Sequence, residues 1–186
     1  GIAAGDRRED LTLSGTYAPG VVLYDVLGDV VGGGFAGMCA AVAAAREGLS
    51  VALVQDRPVF GGNGSEECRV SPQGKWGNGP FPKNRNIMEE IRALIPKHQG
   101  PAYDDNYKPD SAAWDRWLRA EKNLTVLASQ RATSAETKNG RIMRIIVRDI
   151  RTGKEQSVSA TIFADCTGDA ALAEAAGAET MWQARY

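Results

Sequence analysis

Hydrophobic and polar positions follow two different periods along this chain, and the switches between them outline its architecture. "VVLYDVLGDVV" (21–31) reads as a strand interrupted by Gly28 and Asp29. "FAGMCAAVAAAREG" follows, a run of small helix-favouring residues closed by Gly48 as a C-cap. "SVALVQD" is then a short buried strand. Together they predict a strand–turn–helix–strand unit from about Tyr24 to Asp56, close to the roughly 30 residues such a unit needs. Residues 1–20, polar apart from the alternating "LTLSGTY", read as a lead-in segment or an added edge strand.

Periodicity disappears over 57–84, where glycines and prolines crowd. An irregular stretch of this length inside a domain is usually functional or disordered. "NIMEEIRALIP" restores helical spacing, with Ile87, Ile91, Leu94 and Ile95 on one face and Pro96 as the stop. After a polar loop, "SAAWDRWLRAEKN" predicts a helix capped by Asp110 or Ser111, burying Trp114, Trp117 and Leu118.

The period then changes to two. "LTVLAS" is a strand, and extended runs follow at 131–138, 141–150 and 154–159. Asn139-Gly140 and Thr152-Gly153 separate them. Asn-Gly between apolar runs is a hairpin signal, so 131–159 predicts an antiparallel meander. "ATIFADC" returns as a buried strand, and "TGDAALAEAAG" turns into a helix.

Composition narrows the function classes. Apolar residues make up 43 % of 186, enough for a real core, and the 22 basic and 23 acidic side chains nearly cancel to −1. A nucleic-acid binder is normally basic, so no nucleic-acid partner is expected. No apolar run approaches the roughly 18 residues of a membrane span. The chain opens on Gly1 and closes on Tyr186, which reads as a trimmed or partial chain. A cytoplasmic location is the default, with removal of a signal peptide left open. Cys39, Cys68 and Cys166 are too dispersed for a disulfide framework, a zinc knuckle or an iron–sulfur cluster, and His98 is the single histidine, in a turn-like stretch. No metal site is expected.

The chemistry concentrates in "GDVVGGGFAG" (28–37). Gly32, Gly34 and Gly37 match the dinucleotide fingerprint. The first glycine permits the tight turn, the second admits a pyrophosphate to the backbone, and the third lets helix and strand pack closely. The phosphate then sits at the helix start, on unpaired N–H groups and the positive end of the helix dipole. A bare fingerprint is a weak signal; a strand before it and a helix and strand after it strengthen it. Asp56 falls 19 residues after Gly37, where an acid binds a ribose hydroxyl. Gln55 stands directly after "VALV", so either residue could reach the ribose. The carboxylate is the stronger acceptor and the first choice.

"GGGFAG", "VALVQDRPVFGGNGSEE" and "FADCTGDAALAEAAGAE" together resemble the FAD-dependent oxidoreductase family of the glutathione-reductase-like flavoproteins, from about Tyr24 to Trp182. The resemblance implies an α/β fold: a Rossmann-like parallel sheet with a crossover three-stranded antiparallel β-meander, here one FAD-binding domain over 21–186. It implies FAD as cofactor, with Gly32, Gly34, Phe35, Ala36 and Gly37 around the pyrophosphate and Gln55, Asp56 and Arg57 near the adenosine ribose. Gly61, Gly62 and Asn63 would contact the phosphates or ribityl chain, Ala132 would offer its backbone to the adenine, and Thr167, Gly168 and Asp169 would form a second FAD-side turn. Family members are generally longer, so the substrate side would come from the rest of a longer chain or a homo-oligomer.

Two features depart from the family pattern. Without Gly28 and Asp29 the strand would read "YDVLVV", so this pair reads as an insertion that a bulge absorbs, with Asp29 pushed outward or sitting at an exposed strand start. Cys68 follows the Gly61-Gly62 turn alone, which argues against a redox-active disulfide; beside Glu66 and Glu67 its thiol would stay protonated, and it reads as inert or packing. Cys39 reads as core and Cys166 as structural. Glu66 and Glu67 read first as an exposed carboxylate pair and only second as acid–base groups. Trp76 covers a ligand or plugs the core. In such a protein the flavin carries the redox chemistry, so no catalytic residue is singled out. A NAD(P)-binding domain and a non-catalytic scaffold or interaction module are the competing readings. The meander favours FAD over the first, since a NAD domain would continue with βαβ repeats.

Overall fold

A computed structural model describes residues 22–72, 86–95 and 107–181. The lead-in 1–20, residues 73–84 of the Gly- and Pro-rich stretch, Trp76 among them, and His98 lie outside the described residues.

The elements run β1 (Val22–Val31), α1 (Phe35–Arg46), β2 (Val51–Gln55), α2 (Asn86–Ala93), α3 (Ser111–Ala120), β3 (Leu124–Ala128), β4 (Gln130–Lys138), β5 (Arg141–Asp149), β6 (Glu155–Asp165) and α4 (Ala171–Ala175). The strands form one six-stranded sheet in the order β3-β2-β1-β6-β5-β4. β3, β2, β1 and β6 are parallel neighbours, whereas β4, β5 and β6 are antiparallel. This is the expected parallel sheet with its three-stranded meander. The first hairpin turns through Asn139 (φ 53) and Gly140 (φ 73), the two left-handed residues a tight turn of this kind demands.

α1, α2 and α3 cover one face of the sheet. Met38, Ala41, Val42 and Ala45 of α1, Ile91 of α2, and Trp114 and Leu118 of α3 pack with Val30, Val51, Leu53 and Phe60. On the opposite face Ala52, Val54, Val26 and Val31 meet Ile145 and Val147 of β5, Val158 of β6 and Leu172 of α4. β2, sandwiched between these layers, is buried at all five positions, which is why 51–54 reads as an unbroken apolar run before Gln55. Asp110 is the N-cap of α3, and its side chain accepts the Ala113 N–H at 2.7 Å, resolving the choice of cap.

Two expectations need correction. The run 154–159 and the returning strand "ATIFADC" are one strand, β6, because nothing between Glu155 and Asp165 is a glycine or proline and β1 pairs with it from Gln156 to Asp165, with one step at Leu27. Its middle is not buried: Ile162 is 63 % exposed. The second correction concerns Gly28 and Asp29. β1 does carry a kink, since Leu27 and Gly28 both donate to the Ser50 carbonyl, at 2.9 and 3.0 Å, and the pairing to β6 steps over Leu27. Asp29, however, is not pushed outward and does not start the strand. It pairs with Ala52 on one side and Phe163 on the other, and it is 1 % exposed. Ladders on both sides hold its backbone in place. Alternation beyond the kink then puts its side chain on the face of Val31, under the meander. Neither carboxylate oxygen has a hydrogen-bond partner, and burial pushes its pKa up to about 7.

Candidate functional site

The glycine turn joins β1 to α1 at the carboxyl end of the parallel strands. Gly32 has φ +105, and a Cβ there would lie 2.5 Å from the Cys166 carbonyl oxygen. Only glycine combines that backbone with that contact. A Cβ on Gly37 would sit 1.8 Å from the Gly32 oxygen, so α1 can start this close to the turn only because residue 37 has no side chain. Gly34 differs from both. Its φ of −68° and ψ of 177° suit any residue, and a Cβ there meets nothing within 4 Å. Among the described residues nothing demands glycine at this position.

Gly34 is also the N-cap of α1. No side chain caps the helix, and no acidic residue occupies its first turn. The amides of that turn and the positive end of the helix dipole therefore face open space. This space is a cleft of about 740 Å³, lined by the turn, by Asp56–Arg57, by the 61–72 segment, by the start of β4 and by 166–169. All the predicted site residues except Gly37 line it: Gly32, Gly34, Phe35, Ala36, Gln55, Asp56, Arg57, Gly61, Gly62, Asn63, Ala132, Thr167, Gly168 and Asp169. Gly37 lies behind the turn, where its close packing acts.

Each wall has its own support. Gln55 is 6 % exposed; its side-chain oxygen accepts the Gly33 N–H and its nitrogen donates to the Val59 carbonyl, both at 2.8 Å. Asp56 faces the cleft half-exposed, with Arg131 3.9 Å away, and Arg57 pairs with Glu67 at 3.1 Å. The second loop winds through Gly61 (φ +102) and a single 3₁₀ turn at Gly62–Gly64. It is sewn to the glycine turn where the Gly61 N–H donates to the Gly33 oxygen at 2.9 Å. Ala132 is the third residue of β4, opposite Val147. The Thr167-Gly168-Asp169 turn hangs from Asp165, which accepts the Thr167 N–H (2.9 Å) and hydroxyl (2.7 Å) on one oxygen and the Ala173 N–H (2.9 Å) on the other. Burial pushes the Asp165 carboxyl up, but these donors outweigh it and hold its pKa below the usual range. Gly168, like Gly34, would place a Cβ in open space.

Sequence reading missed three of these supports. Asp165 left a signal, an Asp two residues before a Thr at a turn. Tyr107, which donates to the Gly64 carbonyl at 2.8 Å, and Glu66 left none. Glu66 accepts the Ser111 N–H at 2.7 Å and its hydroxyl, 45 residues away in sequence, and so anchors the start of α3 beneath the loop. Burial pushes the Glu66 carboxyl up, the Ser111 donors pull it down, and the net shift is downward. The three cysteines are free; Cys39 and Cys166 are half-buried against the helix-side core, while Cys68 is exposed along the cleft.

A parallel sheet with a meander, a glycine turn into an uncapped helix and an open cleft at the carboxyl edge define a dinucleotide-binding flavoprotein fold. The family model of the FAD dependent oxidoreductases matches residues 25–185, and the chain belongs to that family. It is the flavin-binding portion of an oxidoreductase, and its cofactor is FAD. Among curated proteins, it is 28 % identical over 170 residues to the digeranylgeranylglycerophospholipid reductase of Methanoculleus marisnigri, covering 85 % of this chain and 42 % of that relative's length. Among solved structures, it resembles a geranylgeranyl bacteriochlorophyll reductase-like protein of Thermoplasma acidophilum (TM-score 0.51, 18 % identity, 87 % of this chain and 44 % of that one). It also resembles E. coli quinol fumarate reductase (TM-score 0.56, 11 % identity, 81 % and 34 %). No helix among the described residues is long and apolar enough to cross a membrane.

Proposed function

We propose that the cleft holds FAD with its pyrophosphate at the start of α1 and its adenosine ribose at Asp56. The observation that carries this reading is Gly34. Neither the backbone conformation nor any neighbour among the described residues requires glycine there, so a ligand that needs the vacant Cβ volume accounts for the residue. A phosphate is the ligand that an uncapped helix start favours. Asp56, half-exposed and only loosely held by Arg131, supplies a charged acceptor for ribose hydroxyls. Gly61, Gly62 and Asn63 then meet the phosphates or ribityl chain, Ala132 the adenine, and Thr167, Gly168 and Asp169 the flavin-side half.

Bound FAD supplies hydride or electron transfer; the chain binds it, orients it and shapes the space around it. The oxidoreductase as a whole acts on a small-molecule substrate, and we propose that more polypeptide, from the same chain or a second copy, completes the substrate side. The colour of the purified protein tests the reading. Bound flavin absorbance, or its appearance when FAD is added to colourless protein, is the expected result. Protein that takes up no FAD contradicts it and favours a scaffold or interaction module, while uptake of NAD(P)H in its place would make this a nicotinamide site.

A further inference from the structure

The amide of Gln55 joins two loops. Its oxygen takes the Gly33 N–H from the turn before α1, and its nitrogen gives a hydrogen bond to the Val59 carbonyl in the loop after β2. The orientation is unambiguous, since a backbone N–H can only donate and a carbonyl can only accept. The same two loops meet again at the Gly61–Gly33 hydrogen bond and the Gly34–Gly61 bridge. Gln55 is buried, and its Cβ packs so tightly that a Cβ added to Gly33 would lie 2.9 Å from it. Both ends of the amide are engaged, through one lone pair and one N–H, and this pair of bonds holds the buried side chain between the two loops rather than out in the cleft.

We propose that Gln55 is a positioning residue that sets the spacing of the two glycine loops, and that it is not a ribose ligand. The inference rests on the reading of the cleft as the FAD site. The side chain at this position must accept at Gly33 and donate at Val59, and the amide does both at every pH. A glutamate of the same length keeps the first bond, sets two acceptors against each other in place of the second, and adds a negative charge beside the phosphate position. A ribose ligand would behave in the opposite way, because a carboxylate is the stronger acceptor of hydroxyl groups.

Two variants and two readouts test this. Gln55→Met keeps the buried volume and removes both hydrogen bonds. In the ligand-free protein its Gly33 amide should exchange with deuterium at least about tenfold faster than in the parent, since one hydrogen bond holds that amide. An unchanged rate overturns the inference, whatever the protein binds. Gln55→Glu should bind FAD at least about tenfold more weakly than the parent at pH 8, the scale of one lost hydrogen bond to a backbone group. Relative to the parent, it should recover as the pH falls and the protonated carboxyl regains a donor for Val59. Equal or tighter FAD binding at pH 8 makes Gln55 a ribose ligand and overturns the inference. If the parent itself binds no FAD, the FAD reading fails and the exchange rates alone decide the role of Gln55.

Discussion

Replacing Asp29 by valine should stabilise the protein, and by more at pH 8 than at pH 5. Asp29 lies in the central strand, 1 % exposed, between Ala52 and Phe163, with neither oxygen hydrogen-bonded. Burial alone moves its pKa from 3.8 to about 7. The folded state therefore holds a proton that the unfolded chain releases, and stability falls as pH rises from about 4 to about 7, then levels off. Three pKa units correspond to about 4 kcal/mol, of which roughly 3 kcal/mol is lost between pH 5 and pH 8. Asp165, opposite Val31 two positions further along β6, has a lowered pKa and stays ionised over this range. Valine suits a buried strand position and removes the titration. Urea unfolding of both proteins at pH 5, 6, 7 and 8 measures the difference; other groups titrate in both and cancel. With a slope of about 2–3 kcal/mol per molar urea, the gap between midpoints should widen by about 1–1.5 M from pH 5 to pH 8. A gap that does not change with pH would refute the argument, because a carboxyl that is exposed or paired in the folded state gives no such trend.

Two further substitutions probe the cleft. Gly37→Ala should destabilise the fold by at least about 2 kcal/mol in a chemical melt with no ligand present, since the new Cβ lies 1.8 Å from the Gly32 oxygen and α1 must move. Asp56→Ala should leave the melt unchanged and weaken FAD binding by about 1.5–3 kcal/mol, the scale of a charge-assisted hydrogen bond, as read by calorimetric titration.

Local chemistry made much of this legible in advance. Glycine spacing placed the turn because Gly32 takes a left-handed backbone there and Gly37 answers a contact within the turn itself, the Gly32 oxygen. Asn139-Gly140 placed the first hairpin because both residues adopt left-handed backbones on their own account. Features set by distant partners stayed hidden. The length of β6 depends on β1, which precedes it by more than a hundred residues. The burial of Asp29 depends on the meander laid over that face, and the sequence around it offers only a polar residue in an awkward place. Gln55 stands where a ribose contact is expected, and its commitment to Gly33 and Val59 shows only once the two loops are side by side. Glu66 meets Ser111 across 45 residues for the same reason.

We propose that the open volume at Gly34 belongs to a phosphate of FAD. Titration of FAD into ligand-free parent and Gly34→Val proteins, followed by calorimetry, tests it most directly. Position 34 has an ordinary backbone conformation and no neighbour within 4 Å of an added Cβ, so the variant should fold and melt like the parent. The account predicts saturable single-site binding in the parent and its loss in the variant, at matched unfolding midpoints. Equal FAD affinity in the two proteins would contradict it.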